Sequence, residues 1–201
     1  MSEDKEIKDH CRKYLMHIEN KSVQMITFRL ADSLPKEVID RLKSFADDIA
    51  DKDKNKEEYR KLLVFIDKYE DAGWGECLLK NDEVAEKVKQ TLLHNDKKMY
   101  ELICWCIMPN HVHVLIKTLP DYKLSDILFA WRSFSAHTIN AYLHRKGKVW
   151  MSEYYDRYIR NQEHFRKAYN YILNNPVRAG LVPEPALWRW SSIYKGDNYI
   201  C

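Results

Sequence analysis

Residues 99–117 read MYELICWCIMPNHVHVLIK. Two runs rich in β-formers, Met99 to Ile107 and His111 to Lys117, flank Met108-Pro109-Asn110. Proline cannot donate to a ladder and asparagine favours turns, so the stretch reads as an antiparallel hairpin. Alternation along the second run puts His111 and His113 on one face of the strand and Val112 on the other. A two-residue turn at Pro109-Asn110 pairs Cys106 with His113 on the same face. A three-residue turn would turn Cys104 and Cys106 to the opposite one.

The rest of the chain arranges itself around this hairpin. Gln24 to Leu30 (QMITFRL) is a strand, stopped by Ser33-Leu-Pro35. Two helical stretches follow, Pro35 to Ala50 and Glu57 to Asp71, joined by the charge-dense Asp51-Lys-Asp-Lys-Asn-Lys56. We read residues 35–72 as a helical hairpin inserted in a single domain spanning 1–201. Gly73 and Gly75 break it, and Glu76 to Leu79 suits a short strand. Asn81 is positioned to cap a helix in which Val84, Val88 and Leu92 recur every four residues. Lys123 to His144 is a long helix with Leu124, Ile127, Leu128 and Trp131 on one face. Trp150 to Ile159 is extended or irregular. Asn161 to Asn174 is a last helix, ended by Asn175-Pro176. These elements predict an α+β fold with helices packed on an antiparallel sheet.

Composition narrows the function classes. With 45% hydrophobic residues in 201, the chain has material for a real core, and extended disorder is not expected. With 31% charged residues, no apolar run approaches the roughly 18 needed to cross a membrane. The charged first residues lack the apolar stretch of a signal peptide. Five scattered cysteines do not suit a disulfide framework and do suit a reducing cytoplasm. There is no Gly-rich phosphate loop, no Gly-x-Ser-x-Gly and no Cys-x-x-Cys. The net charge of +3 is unevenly spread: residues 123–180 hold 10 Lys/Arg against 4 Asp/Glu, whereas residues 35–98 hold 14 against 16. The basic segment also carries Tyr154, Tyr155, Tyr158, Phe165, Tyr169 and Tyr171. That mixture suits a polyanion with bases that can stack, and it equally suits a solvated surface over an ordinary core.

Three groupings bear on chemistry. His111 and His113 can reach one divalent ion with open positions left over; the same pair would also suit two surface histidines on an edge strand. Cys104 and Cys106 would complete a zinc site if all four faced one another, or would serve as small buried apolar residues. On the last helix, Phe165, Ala168, Tyr169 and Ile172 form an apolar face, and His164, Lys167, Tyr171 and Asn175 form a separate polar stripe. Tyr171 and Asn175 are neighbours at i and i+4 if the last turn stays helical. That stripe is a candidate reaction surface or the solvated side of an amphipathic helix. Trp131, Trp150, Trp188 and Trp190 read as packing residues.

Met108-Pro-Asn-His-Val-His113, followed about sixty residues later by Tyr171-Ile-Leu-Asn-Asn-Pro-Val-Arg-Ala-Gly-Leu181, resembles the single-tyrosine HUH transposases. Within that group it resembles the REP-associated tyrosine transposases, which are related to small insertion-sequence transposases. Thr27-Phe-Arg-Leu30, Ser33-Leu-Pro35, Trp150 to Arg160 and Trp190-Ser-Ser192 extend the resemblance from about residue 23 to 193. Departures fall at Met16 to Glu19 and in the helical hairpin, neither expected to touch the site. The resemblance implies a ferredoxin-like α+β fold with the His pair on a central strand. It implies a metal-dependent endonuclease and strand transferase acting on single-stranded or hairpin DNA. By position, His111 and His113 match metal ligands, Asn175 a further polar ligand and Tyr171 the nucleophile that forms a 5′-phosphotyrosine. The ion would be Mg²⁺ or Mn²⁺. Arg132, Lys148, Arg157, Arg160, His164, Lys167 and Arg178 are candidates to track the DNA. Such a protein would work at the nucleoid in the bacterial cytoplasm, as a monomer or homodimer and away from membranes. The alternative is a domesticated DNA-binding protein of the same fold that mobilises nothing.

Overall fold

The computed structural model describes residues 22–47 and 56–196. Strands β1 (Val23–Leu30), β2 (Tyr100–Ile107), β3 (His111–Thr118) and β4 (Trp150–Tyr158) form one sheet in the order β2-β3-β1-β4. Every neighbouring pair is antiparallel. Helices α1 (Lys36–Asp47), α2 (Lys56–Asp71) and α3 (Asp82–His94) lie between β1 and β2. Helix α4 (Leu124–Tyr142) connects β3 to β4, and α5 (Gln162–Arg178) follows β4. This is the ferredoxin-like arrangement expected, with β3 and its histidines in the interior of the sheet.

Strand alternation builds two cores. Ile26, Phe28, Val112, Val114, Ile116, Trp105 and Ile107 point to one face, where they pack with Val84, Val88 and Leu92 of α3 and Ile127, Leu128 and Trp131 of α4. Cys104, Cys106 and Leu115 point to the other face, against Phe165, Ala168, Tyr169 and Ile172 of α5. Both cysteines are therefore buried apolar packing residues. Leu34, Val38, Leu62, Ile66 and Met151 form a separate small core that holds α1 and α2. Asn81 caps α3 by accepting from the N–H groups of Glu83 (3.0 Å) and Val84 (3.2 Å). Trp150 and Trp190 are buried in the first core, and Trp188 packs against its margin.

Two local expectations need correction. Glu76 to Leu79 is not a strand: Leu78–Lys80 is a single 3₁₀ turn. Positive φ angles at Gly73, Gly75 and Cys77 coil the chain there instead of extending it. Of the two readings of Trp150 to Ile159 the extended one holds: Trp150–Tyr158 is an edge strand paired with β1, with a register shift between Phe28 and Leu30. Helix α5 does not stop at Asn175-Pro176 but runs through to Arg178. Proline removes one N–H without ending the helix, and the stop comes at Gly180, whose φ of 69° lets Leu181 N–H reach back to the Pro176 carbonyl (2.9 Å). The linker 51–55 lies outside the described residues.

The larger core also contains a buried polar chain. The Trp131 indole N–H donates to the Tyr100 hydroxyl (2.7 Å), which donates to the Leu92 carbonyl (2.7 Å). It ties α4 to β2 and β2 to α3 with each donor matched. Tyr100→Phe leaves the indole N–H and the carbonyl unsatisfied. It is expected to cost about 1–3 kcal/mol, read as a lower denaturant midpoint at unchanged slope.

Candidate active site

The β1–β3 register sets Thr27 opposite His113 and Arg29 opposite His111. On the other flank Cys106 pairs with His113, the register of a two-residue turn. All of these side chains share the α5 face of the sheet. Both histidines are fully buried. The His111 Nδ1 lies 2.8 Å from the Asn110 Oδ1, and the Asn110 amide nitrogen donates to the Trp74 carbonyl (3.0 Å). That second bond fixes the amide orientation, so the His111 proton sits on Nδ1 and its Nε2 carries a bare lone pair. The His113 Nδ1 lies 2.7 Å from the Thr27 hydroxyl. The two Nε2 atoms then face one another at 3.0 Å.

A third ligand-type group comes from α2. Glu70 is buried, its Oε1 held by the Arg29 guanidinium and its Oε2 4.0 Å from the His111 Nε2. One ligand atom from each of Glu70, His111 and His113 lies within 4.8 Å of the others. From α5, Asn175 is buried with its Oδ1 lacking a hydrogen-bond partner, and its side chain reaches His111. This donor set fits a divalent ion. Two nitrogens each about 2.1 Å from one ion and at right angles about it stand about 3 Å apart, as these do at 3.0 Å. An orphaned buried carbonyl oxygen and a carboxylate supply the oxygen side. Burial, helped by Arg29, pushes His111 down to about 3 and His113 well below the usual imidazole range, so protons do not compete for the lone pairs near neutrality.

Tyr171 lies one turn before Asn175 on α5. Its ring meets the His113 ring edge-on at 5.2 Å, and the Arg178 guanidinium covers it at 4.8 Å. Arg178 is itself 3.7 Å from Asp71. The Tyr171 hydroxyl is within reach of the Asp67 carboxylate. Burial first, then Asp67 and Glu70, hold this phenol above its ordinary value. The tyrosine opens onto a cleft of about 600 Å³ whose walls include Thr27, Arg29, Asp67 and Tyr155.

Residues 63–175, more than half of the chain, match the family described as Transposase IS200 like. The chain belongs to the IS200-like transposase family. The REP-associated tyrosine transposase of Escherichia coli (strain K12) is 29% identical over 98 residues, covering 48% of this chain and 56% of that protein. This chain thus matches little more than half the length of that relative. A Haemophilus influenzae relative is 26% identical over 125 residues, covering 57% of this chain and 69% of its own length. Among solved structures, that of a REP-associated tyrosine transposase bound to a REP hairpin is similar at 17% identity, with a TM-score of 0.49 over 85% of this chain and 76% of that chain.

In this chain the four candidates His111, His113, Tyr171 and Asn175 come together against the C-terminal half of α5. Arg157, Arg160, His164 and Lys167 line the cleft that Tyr171 opens onto. Lys167 is also paired with Glu163 (2.6 Å) across one exposed helical turn. Arg132 and Lys148 sit apart. Arg132 donates to the carbonyls of Met151 and Ser152, tying α4 to β4, and Lys148 donates to the Ser152 hydroxyl (3.2 Å). Tyr169 is buried in the core against Phe165. Among the described residues, no helix is long and apolar enough to cross a membrane.

The sequence reading missed Thr27, Arg29, Asp67 and Glu70. It also expected the hairpin of α1 and α2 to stay clear of the site, whereas α2 carries Glu70 into it. Signals existed: Thr27 and Arg29 alternate with apolar residues on a strand, and Asp67, Glu70 and Asp71 share one helical face at i, i+3 and i+4.

Two measurements check this geometry. His111→Ala and His113→Ala are each expected to weaken Mn²⁺ binding by at least about tenfold in calorimetric titration, while Cys104→Ser leaves it unchanged. The second concerns pH. Asp67 is pushed up to about 6 from 3.8, by burial and then by Glu70. A raised carboxyl contributes stability at low pH that is lost as pH rises through 6, opposite to His111, whose contribution is present above 6.5 and lost as pH falls through 3. In chelator, Asp67→Asn is therefore expected to raise Tm at pH 7.5 by about 2–4 °C, with no gain at pH 4.

Proposed function

We propose that this IS200-like transposase is a single-strand DNA endonuclease and strand transferase that cuts through a covalent tyrosine intermediate. The observation that carries the reading is the position of Tyr171: a phenol at the mouth of a basic cleft, against a buried His-His-Glu cluster. His111, His113, Glu70 and Asn175 would hold a divalent ion, Mg²⁺ or Mn²⁺. Such an ion offsets the charge of the phosphate oxygens and orients the scissile phosphate.

The chain's own residues do the rest. The Tyr171 oxygen forms a bond to phosphorus and the bond from phosphorus to the 3′ oxygen breaks. The phenolic proton is lost, and the departing oxygen gains one. The products are a 5′-phosphotyrosine and a free 3′-OH. The aryl ester keeps the bond energy, so a 3′-OH of another strand can reverse the step without a nucleotide cofactor. Arg157, Arg160, His164 and Lys167 line the path of the strand, with charge for phosphates and Tyr155 for stacking. Arg178 bears on Tyr171 directly, covering its ring. Arg132 and Lys148 have backbone and hydroxyl partners elsewhere and are not needed for the cleft. The basic cleft, with Tyr155 in its wall, supports single-stranded or hairpin DNA as substrate. A domesticated protein of this fold that only binds DNA would have no use for a tyrosine beside a metal-type cluster.

The test is incubation with single-stranded hairpin DNA and Mn²⁺, followed by denaturing electrophoresis for a covalent adduct. Tyr171→Phe is expected to abolish the adduct and the cut while DNA affinity and Tm stay close to wild type. Tyr169→Phe should retain the activity. A Tyr171→Phe protein that still forms a 5′-linked adduct would move the nucleophile elsewhere.

A further inference from the structure

The attacking phenol must lose its proton by the time its oxygen bonds to phosphorus. Tyr171 is packed between the His113 ring and the Arg178 guanidinium, on the wall of a cleft that it shares with Asp67. A proton acceptor within reach of the hydroxyl is required. Helix α2 presents three carboxylates to this region on one face. Glu70 is held by Arg29 and turned toward His111. Asp71 is engaged by Arg178. Asp67 is the one within reach of the Tyr171 hydroxyl, and it lines the same cleft. Other titratable groups of the cleft are committed elsewhere. The His164 Nδ1 accepts from the Arg160 N–H (3.2 Å), and Lys167 pairs with Glu163 (2.6 Å).

We propose that Asp67 is a catalytic residue, its carboxylate accepting the phenolic proton as the Tyr171 oxygen attacks the scissile phosphorus. This rests on the reading of Tyr171 as nucleophile. In the forward step the O–P bond forms and the bond from phosphorus to the 3′ oxygen breaks. The electron pair leaves with the 3′ oxygen, which takes a proton from water, and Asp67 keeps the phenol's. In the return step a 3′-OH attacks and gives its proton to water. The Tyr171 oxygen leaves and recovers its proton from Asp67.

The experiment is single-turnover adduct formation by the full chain, in excess over hairpin DNA and with Mn²⁺, comparing wild type, Asp67→Asn, Asp67→Glu and Tyr171→Phe. Asp67→Asn is expected to slow adduct formation by about 100-fold or more, with Mn²⁺ affinity and DNA Kd within about threefold of wild type. Asp67→Glu should recover part of the lost rate. An Asp67→Asn rate within about threefold of wild type overturns the proposal. Loss of DNA or Mn²⁺ binding in step with the rate also overturns it, in favour of a purely structural carboxylate. If wild type itself forms no adduct, the failure lies with the nucleophile reading, and this proposal falls with it.

Discussion

The pairing of β1 with β3 is the constraint on which the rest depends. It sets Thr27 beside His113 and Arg29 beside His111, and the same register continues to Cys106 on β2 and to Tyr155 on β4. Side chains alternate with a period of two. A slip of one residue would therefore drive both histidines into the core under α3 and α4 and turn Val112 and Val114 toward α5. The burial of Ile26, Phe28, Val112 and Val114 against the first core makes that slip costly. The candidate site is thus held in place by hydrophobic burial on the opposite side of the sheet. None of the polar residues has to carry that job.

The polar residues instead face a problem of charge. An arginine, a glutamate and two imidazoles are brought out of water into one small volume, with Asp67, Asp71 and Arg178 at its edge. Burial favours the neutral form of each titratable member, so the histidines move down and the carboxyls up. The Arg29–Glu70 pair is the exception in which two charges offset one another, and removing either partner would strand the other. Neutral imidazoles whose Nε2 atoms lie 3.0 Å apart, beside a carboxylate and a buried amide oxygen, form an arrangement that a cation completes.

The hairpin, the alternation that sets both histidines on one face, the cap at Asn81 and the apolar faces of α4 and α5 were legible because each depends on local period and local chemistry. The polar stripe with Tyr171 four residues before Asn175 was legible for the same reason. Glu70 and Asp67 were not. They lie on a helix whose position is fixed by Leu34, Leu62, Ile66 and Met151, residues from separate parts of the chain, and no local pattern reports that docking. Arg29 was hidden differently: a charged residue on a buried strand looks like an anomaly until Glu70 is known to cover it. The passage of α5 through Pro176 was also beyond local rules, since proline usually marks an end and here Gly180 supplies it.

A high phenol value has consequences in both directions of the proposed reaction. The more basic a phenolate, the better it attacks phosphorus and the worse it leaves. A site that only lowered the tyrosine's value would gain in the proportion of phenolate and lose in its nucleophilicity, and its ester would part easily to water as well as to DNA. Holding Tyr171 protonated, with a proton acceptor within reach, keeps the resting phenol inert. Proton movement is then tied to the moment of bond formation. Microscopic reversibility requires the group that takes the proton during cutting to return it during rejoining. A transferase that must run both ways with similar ease therefore benefits from a carboxyl near neutrality more than from a strongly acidic one. Asp67, on the wall of the cleft that Tyr171 shares, is placed for that exchange.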